Sequence, residues 1–97
     1  MAVSTVAFSL TSAAYVDVSG GYEACSFRLP LVSQRNNVIR VHLGTSLPGV
    51  DTTHFDVYEA PASSAEERQI HFTELAETDR VYVRAVSGTV SLTVYRK

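Results

Sequence analysis

Apolar and polar residues alternate with a period of two along most of this chain, and the alternation is cleanest near its end. Val81, Val83 and Ala85 alternate with Tyr82 and Arg84, and Val90, Leu92 and Val94 alternate with Ser91, Thr93 and Tyr95. That period puts successive side chains on opposite faces of a half-buried strand. The β-branched and aromatic side chains suit a pleated surface. Ser87-Gly88, between the two runs, supplies a residue tolerant of positive φ, so the pattern predicts a β-hairpin over residues 79–97.

The same reading applies to the rest of the chain. Residues 2–11 predict a strand with Val6, Phe8 and Leu10 on one face. Residues 13–19 predict a short second strand, ended by the turn composition Ser19-Gly20-Gly21. In residues 22–29, Cys25, Phe27 and Leu29 alternate with Ala24, Ser26 and Arg28, and Pro30 weakens the strand's end. A polar loop over 33–37 precedes a strand over 38–43, followed by a turn-rich connection over 44–53. A strand over 54–59 sets Phe55 and Val57 against His54, Asp56 and Tyr58, and residues 60–64 break it. Ser64 and Glu67 have capping-box spacing, but the alternation of 68–73 favours a strand, with a helical turn around 74–77. About eight short strands with turn signals between them predict an all-β fold, a single small sandwich spanning residues 1–97.

Composition narrows the functional classes. With 97 residues there is room for one domain with a modest core, which favours self-association or docking on a larger body. The net charge of −2, with basic residues scattered singly, gives no electrostatic case for nucleic acid. Residues 1–10 lack a basic residue and interrupt their apolar positions with Ser4, Thr5 and Ser9, a pattern of neither a secretory signal nor a membrane span. Cys25 is the only cysteine, which rules out an intrachain disulfide and points to a reducing cytosol.

Candidate chemistry is sparse. Asp51, His54 and Asp56, with His42 and His71 further off, are the only metal-ligand candidates, and a polar outer face explains them better. Residues 44–49, Gly-Thr-Ser-Leu-Pro-Gly, do not have the spacing of a nucleophile elbow. Cys25 lies within a strand, where thiols are small buried hydrophobes. The carboxylates at 66–67 and 74–79 fall in polar connections, and Gly20-Gly21 lacks the lysine of a phosphate loop. No catalytic residue, metal or cofactor is expected. Five tyrosines remain, Tyr15, Tyr22, Tyr58, Tyr82 and Tyr95, and several fall on polar strand faces. Tyrosine joins contact area to a polar tip and is common at interfaces.

The opening 8–19 (FSLTSAAYVDVS) and the ending 79–94 (DRVYVRAVSGTVSLTV) resemble small structural proteins of tailed bacteriophage virions. The resemblance covers about a third of the chain and implies a compact β-sandwich or jelly-roll unit. It implies a non-enzymatic virion protein, assembled in the bacterial cytoplasm, that decorates or cements the capsid. The partners would be the major capsid protein or another virion protein, and copies of itself, for instance as a trimer, with no nucleic acid or membrane involved. A tail- or fibre-associated sandwich that binds a glycan or receptor is the alternative. Candidate contacts are the segment 2–6, with Val3 and Val6, the connection 44–53, with Leu47, and Tyr82, Arg84 and Tyr95 on the polar face of the predicted hairpin, all expected to be exposed.

Overall fold

In the computed structural model, which describes residues 4–29, 37–60 and 68–97, the alternating segments become eight antiparallel strands. They are β1 (Ser4–Thr11), β2 (Val16–Asp17), β3 (Cys25–Leu29), β4 (Asn37–Gly44), β5 (Asp56–Ala60), β6 (Arg68–Phe72), β7 (Arg80–Ala85) and β8 (Thr89–Arg96). One four-stranded sheet, sheet A, has the order β1-β8-β3-β6, and the other, sheet B, the order β2-β7-β4-β5. β4 folds back on β5, and the pairs β3–β6, β2–β7 and β1–β8 wind outward from that hairpin, falling alternately in the two sheets. The pairs β8–β3 and β7–β4 complete each sheet. This rolled ribbon is a jelly roll, a β-sandwich as the alternation predicts.

Cross-strand register builds the core. In sheet A, Val94 lies between Val6 and Phe27, and Phe27 in turn faces Ile70. In sheet B, Val83 lies between Val16 and Val41, and Ile39 lies between Ala85 and Tyr58. Leu10, Ile39, Val83 and Val94 are fully buried between the sheets. Each such side chain contributes about 1.5–3 kcal/mol by leaving water.

The predicted 79–97 hairpin is corrected. Both strands form where the alternation places them, but β7 belongs to sheet B and β8 to sheet A. Residues 86–88 form an arch across the sandwich, with Gly88 at φ 64°. The four Cα–Cα steps from Ala85 to Thr89 reach up to roughly 14 Å, enough to span sheets about 10 Å apart. Alternation fixes which face of a strand is apolar and leaves its partner open. Here β7 pairs with β2 and β4, and β8 with β1 and β3, so each is an inner strand of its own sheet.

Smaller differences have local causes. The predicted strand over 13–19 is regular only at Val16–Asp17, because Asp17 turns the chain: its Oδ1 accepts from Ser19 N, Gly20 N and Ser19 Oγ, each at 3.0 Å. Ser19, fully buried, accepts from Val81 N through Oγ at 3.1 Å and so ties the turn to β7. Tyr22 N donates to Ser19 O at 3.1 Å across the positive-φ residues Gly20 and Gly21, so the third strand starts at Cys25 rather than Tyr22. The helical turn around 74–77 does not form. Glu74 sits at φ 57°, outside the right-handed helical region, and Asp79 closes a tight turn on Ala76, donating from N to Ala76 O at 3.0 Å and accepting at Oδ2 from Ala76 N at 3.0 Å. Of the predicted 33–37 loop and 60–64 break, Asn37 begins β4 and Ala60 ends β5; the remaining positions, the capping box at Ser64 and Glu67, and Val3 lie outside the described residues.

The arch is directly testable by interstrand backbone nuclear Overhauser contacts. The expected contacts link β7 to Val16 and Val41 and link β8 to Val6 and Phe27. Ladder contacts pairing Val83 with Leu92 and Ala85 with Val90 would instead establish a hairpin and contradict the fold.

Candidate interaction surface

The β4–β5 hairpin carries an unusual share of the exposed apolar surface. Of the five large hydrophobic residues exposed among the described residues, Leu43, Leu47, Val50 and Val57 lie between positions 43 and 57; the fifth is Tyr95. Leu43 continues the inward parity of Ile39 and Val41 but, next to the last residue of the strand, is exposed. Val57 pairs with Arg40 on the outer face of sheet B, while Tyr58 turns inward onto the core. The 45–55 loop bears Leu47 and Val50 and only two charged residues in the span 43–57, Asp51 and Asp56.

Side chains of β4 hold this loop in place. Gly49 O accepts from Thr52 N at 3.1 Å, and Thr52 Oγ1 accepts from His54 N at 3.3 Å. His42 Nδ1 is paired with His54 O, and the Arg40 guanidinium stacks on the Phe55 ring at 4.4 Å. The loop is therefore tied back to the sheet at two successive outward positions of β4, which lowers the ordering entropy lost when it docks. Exposed apolar side chains on such a support have the character of a contact surface.

The outer face of sheet B behaves differently from expectation. Tyr82 and Arg84 were expected to be exposed, but they are only 5% and 7% exposed: residues 12–15 fold onto Arg84, and Tyr82 lies against His42. Arg84 donates from Nη1 to Ser12 O at 3.1 Å and to Ala85 O at 3.3 Å, and lies 5.4 Å from the Tyr15 ring centre. His42 contacts both Tyr15 and Tyr82, at ring separations of 6.4 and 6.0 Å. Arg40 and Arg84 stand directly opposite each other on β4 and β7. Nε of each, and the Tyr15 hydroxyl, are buried without a hydrogen-bond partner among the described residues. This cluster fastens the chain between β1 and β2 to sheet B, so Tyr82 and Arg84 act within the fold.

The remaining predicted contacts divide. Tyr95 is half exposed on the outer face of sheet A, with Ser26 opposite it and His71 beyond Ser26 on β6. An open cleft of about 270 Å³ adjoins this row, with Thr73 and Lys97 also on its wall. Leu47 is exposed, and Val6 is half buried on the inward side of β1. Val50 lies in the 44–53 connection expected to make contact, whereas Leu43 and Val57 were not expected from the sequence. Leu47 and Val50 left a signal, since apolar residues in a turn-rich connection are out of place; Val57 was hidden by an alternation that reads equally well with either face inward.

No cluster of three or more His, Cys, Asp or Glu forms among the described residues. Cys25 faces the core at 2% exposure. Burial pushes its thiol from 9.0 up to about 11, with Asp17 adding to the rise and Arg96 opposing it. No family model matches the chain, and comparison with curated proteins and with solved structures finds no match either.

Two outcomes are expected. Arg84→Ala, which removes two hydrogen bonds and the stack on Tyr15, lowers unfolding free energy by about 2–3 kcal/mol in urea titrations, against about 0.5 kcal/mol or less for Tyr95→Ala. Cys25 in the native protein at pH 8 reacts with a disulfide reagent at least roughly a hundredfold more slowly than in urea, since its thiolate fraction is suppressed and its sulfur shielded. The raised pKa also fixes a sign: the unfolded thiol ionises first, so this group's contribution to stability falls as pH rises from 9.0 to about 11.

Proposed function

We propose that this chain is a non-enzymatic structural protein of a tailed-phage virion that decorates or cements the capsid. The observation that carries the reading is the β4–β5 hairpin, where Leu43, Leu47, Val50 and Val57 are exposed and the loop between the strands is pinned by His42 and Arg40. Burying such side chains against a shell favours the assembled state by mass action, because the contact exists only there. The resemblance of residues 8–19 and 79–94 to small virion proteins supports the same reading. Jelly rolls recur in viral capsid and lectin domains, which is support by analogy of fold. Docking would be led by Leu47 and Val50, with Tyr95 on a separate face; Tyr82 and Arg84, being internal, are withdrawn as contacts.

A tail- or fibre-associated role in binding a glycan or receptor is the second reading. It is favoured by the cleft beside Tyr95, Ser26 and His71, where an aromatic face and hydroxyl and imidazole groups adjoin an open hollow. Aromatic faces and short polar side chains are the groups that sugars meet.

Co-sedimentation with purified particles separates the two. On the capsid reading the protein is present in hundreds of copies per particle, and Leu47→Asp with Val50→Asp reduces occupancy by at least about tenfold while the urea midpoint is kept, as both sites are exposed. On the fibre reading only a few copies are present, and Tyr95→Ala abolishes binding to a glycan array. Absence of the protein from particles would defeat both.

A further inference from the structure

The four sheet edges of this sandwich are unequal. In sheet B the edges are β2, with two residues including Asp17, and β5, with five residues including Asp56 and Glu59. In sheet A, β6 has five residues and carries Arg68 and His71. These are short strands bearing charged or ionisable residues, the usual protection of an edge against pairing with another chain. β1 has none of it. It is eight residues long, without proline, and the first charged residue of the whole chain is Asp17. Its pairing partner is β8, and no other backbone group among the described residues bonds to it.

The residues along this edge are self-complementary. Val6 and Phe8 point inward and are only half buried, whereas Leu10 on the same face is fully buried; Thr5, Ala7, Ser9 and Thr11 point outward and are exposed. An antiparallel pair of β1 strands with its two-fold axis at Phe8 sets Val6 opposite Leu10 and Phe8 opposite its own copy. On the other face it sets Thr5 opposite Thr11 and Ala7 opposite Ser9. Every inward apolar residue meets an apolar one, the outward face pairs only small residues, and no like charges oppose each other. Shifting the axis to Ala7 places Ser4 against Leu10, and an odd shift exchanges the two faces.

We propose that β1 is a self-association edge, and that two copies of this chain pair through it into a two-fold dimer with sheet A continuous across eight strands. The pairing spans residues 5–11, roughly 24 Å of strand. It satisfies edge backbone groups that no described residue bonds and covers the flanks of Val6 and Phe8. A two-fold, isologous contact is the closed form that one self-complementary strand produces. The inference is independent of the virion role proposed above.

Sedimentation velocity of the full chain, with no particle present, tests it. The expected species is a dimer of about 21 kDa in equilibrium with the 10.6 kDa monomer. The variant Thr5→Lys with Thr11→Lys places like charges opposite each other twice in the Phe8 register and is expected to weaken dimerisation at least about tenfold. The variant Thr5→Lys with Thr11→Glu places opposite charges there and is expected to dimerise as well as the parent or better. If the first variant fails to fold, as judged by its urea midpoint, the second decides alone. A strictly monomeric parent up to millimolar concentration, a trimer, or dimerisation weakened equally by both variants would overturn the proposal. So would association seen only with a strand from a different protein.

Discussion

The burial of β7 and β8 in one core from opposite sheets is the constraint on which the other pairings depend. Val81, Val83 and Ala85 enter the core from one side, and Val90, Leu92 and Val94 from the other. Because 86–88 carries the chain directly across the sandwich, both strands become inner strands, and each must find two partners at a distance in sequence. The C-terminal end therefore waits for β1, β2, β3 and β4. Non-local pairing of this kind incurs loop-closure entropy before the contacts repay it, so folding is expected to be slow for the chain's size. Among the described residues β4 and β5 are the only strands consecutive in the chain that pair with each other, across the 45–55 loop, and that pairing needs no other strand.

The outer face of sheet B shows how a small sandwich manages a face too large to leave open. Two arginines stand opposite each other across β4 and β7, an arrangement that costs free energy through like-charge repulsion and desolvation. The structure offsets it with rings and carbonyls. Arg40 lies on Phe55, Arg84 lies by Tyr15, and Ser12 O accepts from Arg84. The same contacts fix two pieces of irregular chain, the segment from Ser12 to Tyr15 and the entry to β5. Arginine suits this position because its planar, weakly hydrated head stacks and donates at once, which a lysine ammonium does not.

Strand existence was legible in the sequence, since period two survives wherever one face is buried. All eight segments that alternate became strands, with ends displaced where Asp17, Ser19 and Asp79 turned the chain through side-chain bonds that periodicity does not register. Pairing was not legible. Val83 and Leu92 satisfy a hairpin and an arch equally well, because both arrangements bury the same faces. Exposure of the polar face was misread for Tyr82 and Arg84 because their covers are long-range facts, His42 beside Tyr82 and a bond between positions 12 and 84. On the interaction surface, Leu47 was legible as an apolar residue in a turn-rich stretch. Val57 was not, since its exposure follows from Tyr58 taking the inward place beside Ile39.

These assignments leave the molecule with a division of labour among its surfaces. The outer face of sheet B near β7 is consumed by the fold's own cover and has little left to offer a partner. The β4–β5 loop gathers exposed apolar side chains at a position tied by His42 and Arg40, so contact there does not require the core to move. Sheet A presents the opposite character along β1 and β8, where Thr5, Ser9, Thr11, Thr89, Ser91 and Thr93 expose short hydroxyl side chains. Short hydroxyls on a pleated face make a level surface that loses little side-chain entropy on contact. A chain with one apolar loop and one level hydroxyl face, separated by a packed core, has two chemically distinct surfaces, and the unprotected edge of β1 borders only the second.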